Sequence, residues 1–208
     1  MLKDQRETAQ RVIIAACRQN ISTIAGADVA AAGEYLLSCI AVFSFPDLRL
    51  LHDSYAKSRM AMPYVTGFLS YRELPVLVRA YKQINQKPHL ILVDGQGIAH
   101  PRRLGLASHL GVVLNIPTIG CAKSHLFGEY VMPGLKRGSY ASMRSGRERI
   151  GIVLRTRDNV RPLFVSPGHL VDICDCLRIV LKATTRYRIP EPIRYAHKMA
   201  GLRAKSVA

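Results

Sequence analysis

The stretch LILVDGQGIAHPRRLG, residues 90–105, decides how the chain is read. Leu90–Val93 run straight into Asp94; glycines then bracket Gln96, and His100, Pro101 and two arginines follow. A short unbroken apolar run ending in turn signals reads as a strand buried on both faces, here residues 89–93. Such a strand needs a neighbour on each edge and a packed layer on each face. An acid at its tip is costly to bury unless it is paired or holds a cation. Glycines beside it let backbone come close to a ligand.

The rest of the pattern supplies those neighbours. Residues 21–30 and 35–45 are rich in β-formers and join through a turn at Ala32-Gly33-Glu34; residues 48–59 follow the Pro46-Asp47 turn. Together they predict an antiparallel meander of three. Residues 5–19 have helical spacing, with Ala9, Val12, Ile13 and Ala16 on one side. Residues 62–70 read as irregular. A helix opens at Ser70-Tyr71-Arg72-Glu73, with Pro75 fitting its first turn. Further expectations are a helix at 102–114, a strand at 116–121, strands at 150–156 and 162–166, and a helix from about 170 to 183. Residues 128–148 lack a firm period and read as a mobile loop. The order β-β-β-α-β-α-β predicts an α/β fold, a mixed sheet flanked by helices. One right-handed crossover sets the fourth strand beside the first, so Asp28 and Asp94 become neighbours.

A length of 208 residues suits one domain, 1–208, with a basic tail at about 186–208. Nearly half the residues are apolar (49%), which favours a sizeable core over disorder. No apolar run approaches the ~20 residues of a membrane span. The polar start, with Asp4 and Glu7, does not read as a secretory signal or transit peptide, so the expected compartment is the cytoplasm. Five cysteines at 17, 39, 121, 174 and 176 form no CxxC pair and read as small buried hydrophobes. Thirty Lys and Arg face fourteen acids, a formal net charge of +16. The excess concentrates at 136–149 and from Leu177 onward, where Glu191 is the one acid against eight basic residues. Such a chain suits an anionic partner.

Asp28, Asp94 and Glu73 form a set of hard oxygen donors fit for Mg²⁺. Each has a plainer reading. Asp28 is also a turn acid, and Ser70-x-x-Glu73 has the spacing of a capping box. His100 is either a satisfied structural histidine or a substrate contact, and Lys123 is either solvated or set to neutralise a reacting phosphate. Neither GxGxxG nor GxxxxGK[ST] occurs, so those nucleotide loops are unsupported. Metal-binding acids in a strongly basic chain point to phosphodiester chemistry. The alternatives are a nuclease indifferent to base modification and a basic nucleic-acid-binding protein without catalysis. In the binding-protein alternative, the three acids share no neighbourhood.

Six segments, IAGADVA (24–30), MPYVTGFLSYRE (62–73), LVDGQGIAHPRRLGLASHLGV (92–112), IPTIGCAKSHL (116–126), PLFVSPGHLVD (162–172) and RIPEPIR (188–194), together resemble the endonuclease V family. The resemblance implies a ribonuclease H-like fold. It implies cleavage of the second phosphodiester bond 3′ to inosine, leaving 3′-hydroxyl and 5′-phosphate, with Mg²⁺ or Mn²⁺, in repair of deaminated DNA. The partner implied is deoxyinosine-containing DNA, with inosine-containing RNA as a further substrate, and the expected state is a monomer away from membranes. Asp28, Glu73 and Asp94 match the family's metal-binding acids, and His100 and Lys123 its residues near the scissile phosphate. Pro63, Tyr64, Val65 and Thr66 match its wedge, which fills the place of a displaced base. Gly67, Gly95, Gly97 and Gly105 match its base pocket. Arg72, His169 and Asp172 are carried over with them. Gln96 stands where many members have histidine, and Thr66 replaces the wedge's usual second proline.

Overall fold

The computed structural model describes residues 1–18 and 20–207. The strand that decides the fold is β4 (Leu90–Val93), and all four of its side chains are fully buried. Both of its edges are taken by parallel strands. On one side lies β1 (Thr23–Ala32), with Ile24 opposite Leu90 and Ala27 opposite Val93. On the other lies β5 (Thr118–Ala122), with Ile91 opposite Thr118. The Asp94 amide donates to the Ala27 carbonyl at 3.0 Å, so pairing continues one step past the strand. Asp28 and Asp94 are the next residues along the two strands. With side chains alternating along each strand, both fall on one face of the sheet.

β1 pairs with β2 (Tyr35–Ser44), and β2 with β3 (Leu50–Arg59), giving the expected meander. The chain crosses through α2 (Leu69–Lys82) to β4, and through α3 (Leu106–Leu114) to β5. Beyond β5 the sheet grows by antiparallel strands: β8 (Leu163–His169), β7 (Glu148–Leu154) and β6 (Tyr140–Ser145). The eight-stranded order is β3-β2-β1-β4-β5-β8-β7-β6. α2 and α3 cover one face, where Leu77, Ala80 and Leu110 meet Ala27, Ile40 and Ile91. α4 (Ile173–Lys182) and α5 (Glu191–Lys205) cover the other, where Ile179, Ile193, Ala196 and Ala200 meet Ile24, Leu90 and Leu92.

Several expectations need correction. The first helix, α1, spans Leu2–Gln10 and ends well before 19. Residues 12–18 are instead tied to the β8–α4 junction: the Leu170 amide donates to Ile13 O at 2.7 Å, and the Cys17 amide to Asp175 Oδ2 at 2.7 Å. Of their apolar side chains only Val12 and Cys17 are half-buried against the core, while Ile13, Ile14, Ala15 and Ala16 are exposed. Residues 128–148 are not a featureless loop, since β6 and the start of β7 lie there, turning at Gly146 with φ +60°. β6 is an edge strand with only Met143 buried, so it has no apolar alternation to read. α3 begins at Leu106 rather than 102, because Arg103 has φ +57° and Gly105 is extended. Pro75 lies inside α2, which starts earlier than the Ser70 signal suggested. The basic C-terminal segment is the packed helix α5. Cys174 is exposed, whereas Cys39, Cys121 and Cys176 are buried.

Candidate active site

The acids converge because β1 and β4 are parallel and in register, and α5 reaches them because β1 carries a glycine. A Cβ on Gly26 would sit 2.0 Å from the Pro192 main-chain carbon, so only glycine lets the start of α5 lie against the strand. From that contact α5 runs on to His197. One ligand atom each from Asp28, Asp94 and His197 lies within 4.8 Å of the others. His197 Nδ1 stands 2.6 Å from Asp28 Oδ2, within hydrogen-bond distance. Lys123, just past β5, is ion-paired through Nζ to Asp94 Oδ2.

Glu73 belongs to the same electrostatic neighbourhood but not to that close trio. Burial, then the charge of Asp28, pushes its carboxyl up to about 8, with Arg72 pulling it back. Asp28 is also raised, first by burial and then by Asp94, against the lowering His197 bond. Two carboxyls that resist ionisation, Asp28 and Glu73, beside the acid Asp94 form a site short of positive charge. The capping-box reading of Glu73 fails. The N-cap of α2 is Phe68 with no side-chain cap, and the Ser70 hydroxyl pairs with His109 Nδ1 at 3.1 Å. His197 was absent from the sequence reading. It borders the buried α5 stripe of Ile193, Ala196 and Ala200, which is the signal that could have flagged it.

On the α2/α3 face next to this centre is a cavity of about 60 Å³ lined by Tyr64, Gly67, Gln96, His100, Gly105 and Leu106, among others. Pro63, Tyr64, Val65 and Thr66 are all exposed on the loop leading to α2, Tyr64 at 60%. His100 is buried and held near 4, mainly by desolvation and then by Arg102, so it is a neutral imidazole at pH 7. Its Nδ1 accepts from the Arg102 amide at 3.1 Å. Gly67, with φ +81°, is held through its carbonyl by Gln5 Nε2 at 2.9 Å and Arg102 Nη2 at 2.8 Å. Gln5, fully buried on α1, is thus a cavity support the sequence did not reveal.

Four predicted residues do not line the cavity. Gly97 does not line the cavity. Its amide donates to Ser166 Oγ at 2.8 Å, and a Cβ there would meet Pro167 O at 2.0 Å, so it serves close packing on β8. Gly95 does not line it either, and packs towards Leu106. His169 pairs in register with Thr118, at the end of β5 opposite Lys123, and accepts from the Ile13 amide at 3.2 Å. Asp172 is the N-cap of α4 and forms a capping box with Asp175. His169 and Asp172 are therefore structural at the far end of the sheet, where backbone groups needed partners. Arg72 lies beside Glu73, with Nη2 2.8 Å from Met60 Sδ and a buried Nε that has no partner among the described residues.

Comparisons with known proteins agree with this geometry. The family model described as Endonuclease V matches residues 6–198. Endonuclease V of Geotalea uraniireducens is 47% identical over 198 residues, covering 95% of this chain and 85% of that protein. The crystal structure of Endonuclease V from Streptomyces avermitilis has a TM-score of 0.94 at 37% identity, covering 99% of this chain and 92% of that one. Endonuclease V of Ciona intestinalis, solved with a 24mer DNA containing an inosine followed by a ribo-adenosine, has a TM-score of 0.87 at 26% identity. It covers 100% of this chain and 97% of its own. The mixed sheet with its flanking helices is thus the ribonuclease H-like fold of these structures, and the chain belongs to the endonuclease V family of nucleases.

Proposed function

We propose that this nuclease recognises inosine in a nucleic-acid strand and, with a divalent cation, hydrolyses the second phosphodiester bond on its 3′ side. The products are a 3′-hydroxyl and a 5′-phosphate. The observation that carries the reading is the convergence of Asp28, Asp94 and His197 within 4.8 Å, next to a cavity guarded by an exposed tyrosine. The Ciona relative's inosine-containing DNA supports the same choice of substrate.

The donor set fits a cation. Asp28 and Asp94 offer hard oxygens suited to Mg²⁺, His197 adds an imidazole that Mn²⁺ also accepts, and Glu73 adds a carboxyl in the same charge neighbourhood. The raised carboxyls of Asp28 and Glu73 favour this fit, since a cation supplies the missing positive charge. A bound divalent ion polarises a phosphate oxygen and acidifies water. The protein's own residues do the remaining work. Lys123 brings a cation beside Asp94, where it can neutralise a phosphate oxygen. His100, neutral at pH 7, offers its ring to the strand without adding charge. Gly67 and Gly105 let main chain face the base, and Gly95 and Gly97 hold the loop behind it.

The wedge Pro63–Thr66 presents Tyr64 to the gap left by a displaced base. Flipping costs a few kcal/mol of stacking, less at a mismatch, and an inserted ring recovers part of it. The same reading makes the protein a cytoplasmic monomer acting in repair of deaminated DNA. Among the described residues no helix is long and apolar enough to cross a membrane.

The test is a cleavage assay with Mg²⁺ on matched strands, with and without one inosine, as DNA and as RNA. A single cut one nucleotide beyond the inosine, in modified strands only, is expected. Equal cutting of unmodified strands would return the protein to a general nuclease. Asp94→Ala is expected to keep inosine-dependent binding while losing at least about a hundredfold in cutting rate. Full-rate cutting by that variant would remove the metal site from the mechanism.

A further inference from the structure

The loop joining α4 to α5, residues 183–190, is not used by the mechanism above, yet it is bolted to the catalytic lysine. Arg188 Nη2 donates to the main-chain carbonyls of Lys123 and Pro162, both at 2.8 Å. Ala122 pairs with Phe164 in antiparallel register, so Lys123 and Pro162 lie at the same end of the sheet as Asp94. The loop therefore continues the active-site edge, on the face covered by α4 and α5. The cavity lies on the opposite face, at the starts of α2 and α3.

Tyr187 is exposed on this loop at 43%, although its ring is apolar. The Arg194 guanidinium sits 4.5 Å from the ring centroid and is itself fixed by Glu191, 2.7 Å away. The Arg186 guanidinium is 5.8 Å from the same centroid, and Arg186 is exposed. Arg161 is also exposed and lies close enough to repel Arg188. An exposed aromatic ring framed by arginines is what a nucleotide strand requires: a face for a base and cations for its phosphates. The lone acid of this segment, Glu191, is engaged by Arg194 and Thr185 Oγ1. The patch therefore presents net positive charge.

We infer that Tyr187, with Arg186 and Arg161, forms a stacking platform for the nucleotides 3′ to the cut. The inference rests on the proposed function for the strand's direction. A base in the cavity on one face, and a scissile phosphate at the sheet end, send the downstream strand over the edge onto this loop. Arg188 ties platform and catalytic lysine into one rigid piece, so a strand held at Tyr187 is also held in line with Lys123. Stacking on an aromatic ring is tolerant of sequence, so the platform adds affinity for length rather than for base identity.

The test is equilibrium binding by fluorescence anisotropy. Single strands carry one inosine, a fixed 5′ side and 3′ flanks of about one, three, six or nine nucleotides, in EDTA so that nothing is cut. For the unaltered protein, Kd should fall about tenfold between the shortest and longer flanks. In Tyr187→Ala that ratio should shrink to about two or less, while Tyr187→Phe, which keeps the ring, should retain it. Arg186→Ala should lower the salt dependence for long flanks only. Replacing inosine by adenine should leave the length ratio in place. An unchanged length ratio in Tyr187→Ala, or none in the unaltered protein, would overturn the platform. Equal affinity for inosine and adenine strands at every length would instead overturn the base-recognition reading. If Tyr187→Ala loses its circular dichroism signature, the charge reversal Arg186→Glu reads the same face from the surface, with the same two outcomes.

Discussion

Glu73 shows what burying an acid beside other acids costs a protein. Its folded value of about 8 lies above the ordinary 4.5, so the folded state holds the proton more tightly than the unfolded one. The associated stability is present below about pH 4.5 and is lost as pH rises through about 8. Glu73→Gln removes the charge that must be buried. It should stabilise the metal-free protein at pH 9 by on the order of 4 kcal/mol relative to pH 5, read by urea denaturation at both pH values. The same variant should lose most of the thermal stabilisation that Mg²⁺ gives at pH 8. Tyr64 is the second informative residue. Tyr64→Ala should weaken binding of an inosine duplex about tenfold more than of an inosine single strand, because only the duplex needs a ring to fill the vacated stack. Competition binding with both substrates checks it, and equal losses would remove the wedge role. Asp94 was legible because an acid at a strand tip beside glycines is physically odd, and Asp28 because the strand order set it next to Asp94; Glu73 was set apart from its capping-box reading only by the family resemblance. His197 was not legible, because its one local mark is a place beside the apolar stripe of α5, and only the approach of α5 to β1 turns an exposed helical histidine into a neighbour of Asp28.

At the scale of elements, what could be read was what is buried. β1, β2 and β4 are mostly apolar because both faces of the sheet are covered, and their order and pairing followed. β6 carries none because one buried methionine suffices for an edge strand. The segment 12–18 misled in the opposite direction, since its apolar residues carry helical spacing while its backbone is taken up by bonds to Leu170 and His169 and most of its side chains stay exposed. The joint between β1 and α5 is the element-scale feature most open to test. Gly26→Ala puts a methyl group against main chain that cannot swing aside. We expect a loss of about 3 kcal/mol in urea unfolding, and a weaker metal response because His197 moves with the helix. A variant as stable as the parent would mean that α5 shifts without harm.

At the scale of the molecule, charge and topology divide the labour. The net charge of +16 says nothing about the fold, but it sets how binding responds to salt. For an inosine single strand, log K against log salt should fall with a slope on the order of −4, as expected for about six phosphates neutralised. A slope near zero would mean that the basic surface does not hold the strand. The charge was plain from composition. The path it marks was not, because the α4–α5 loop and the cavity come to opposite faces of one sheet edge only after folding.

The approach of α5 to Gly26 also bears on the order in which the chain is made. A ribosome releases Asp28, Glu73, Asp94 and Lys123 long before Pro192 and His197. Until α5 emerges, the half of the sheet that Ile193, Ala196 and Ala200 cover stays bare, and the acids stand without their histidine. Synthesis thus withholds this histidine, and the cover over that face of the sheet, until the rest has been laid down, so the cluster of Asp28, Asp94 and His197 is the last feature of the fold to be completed.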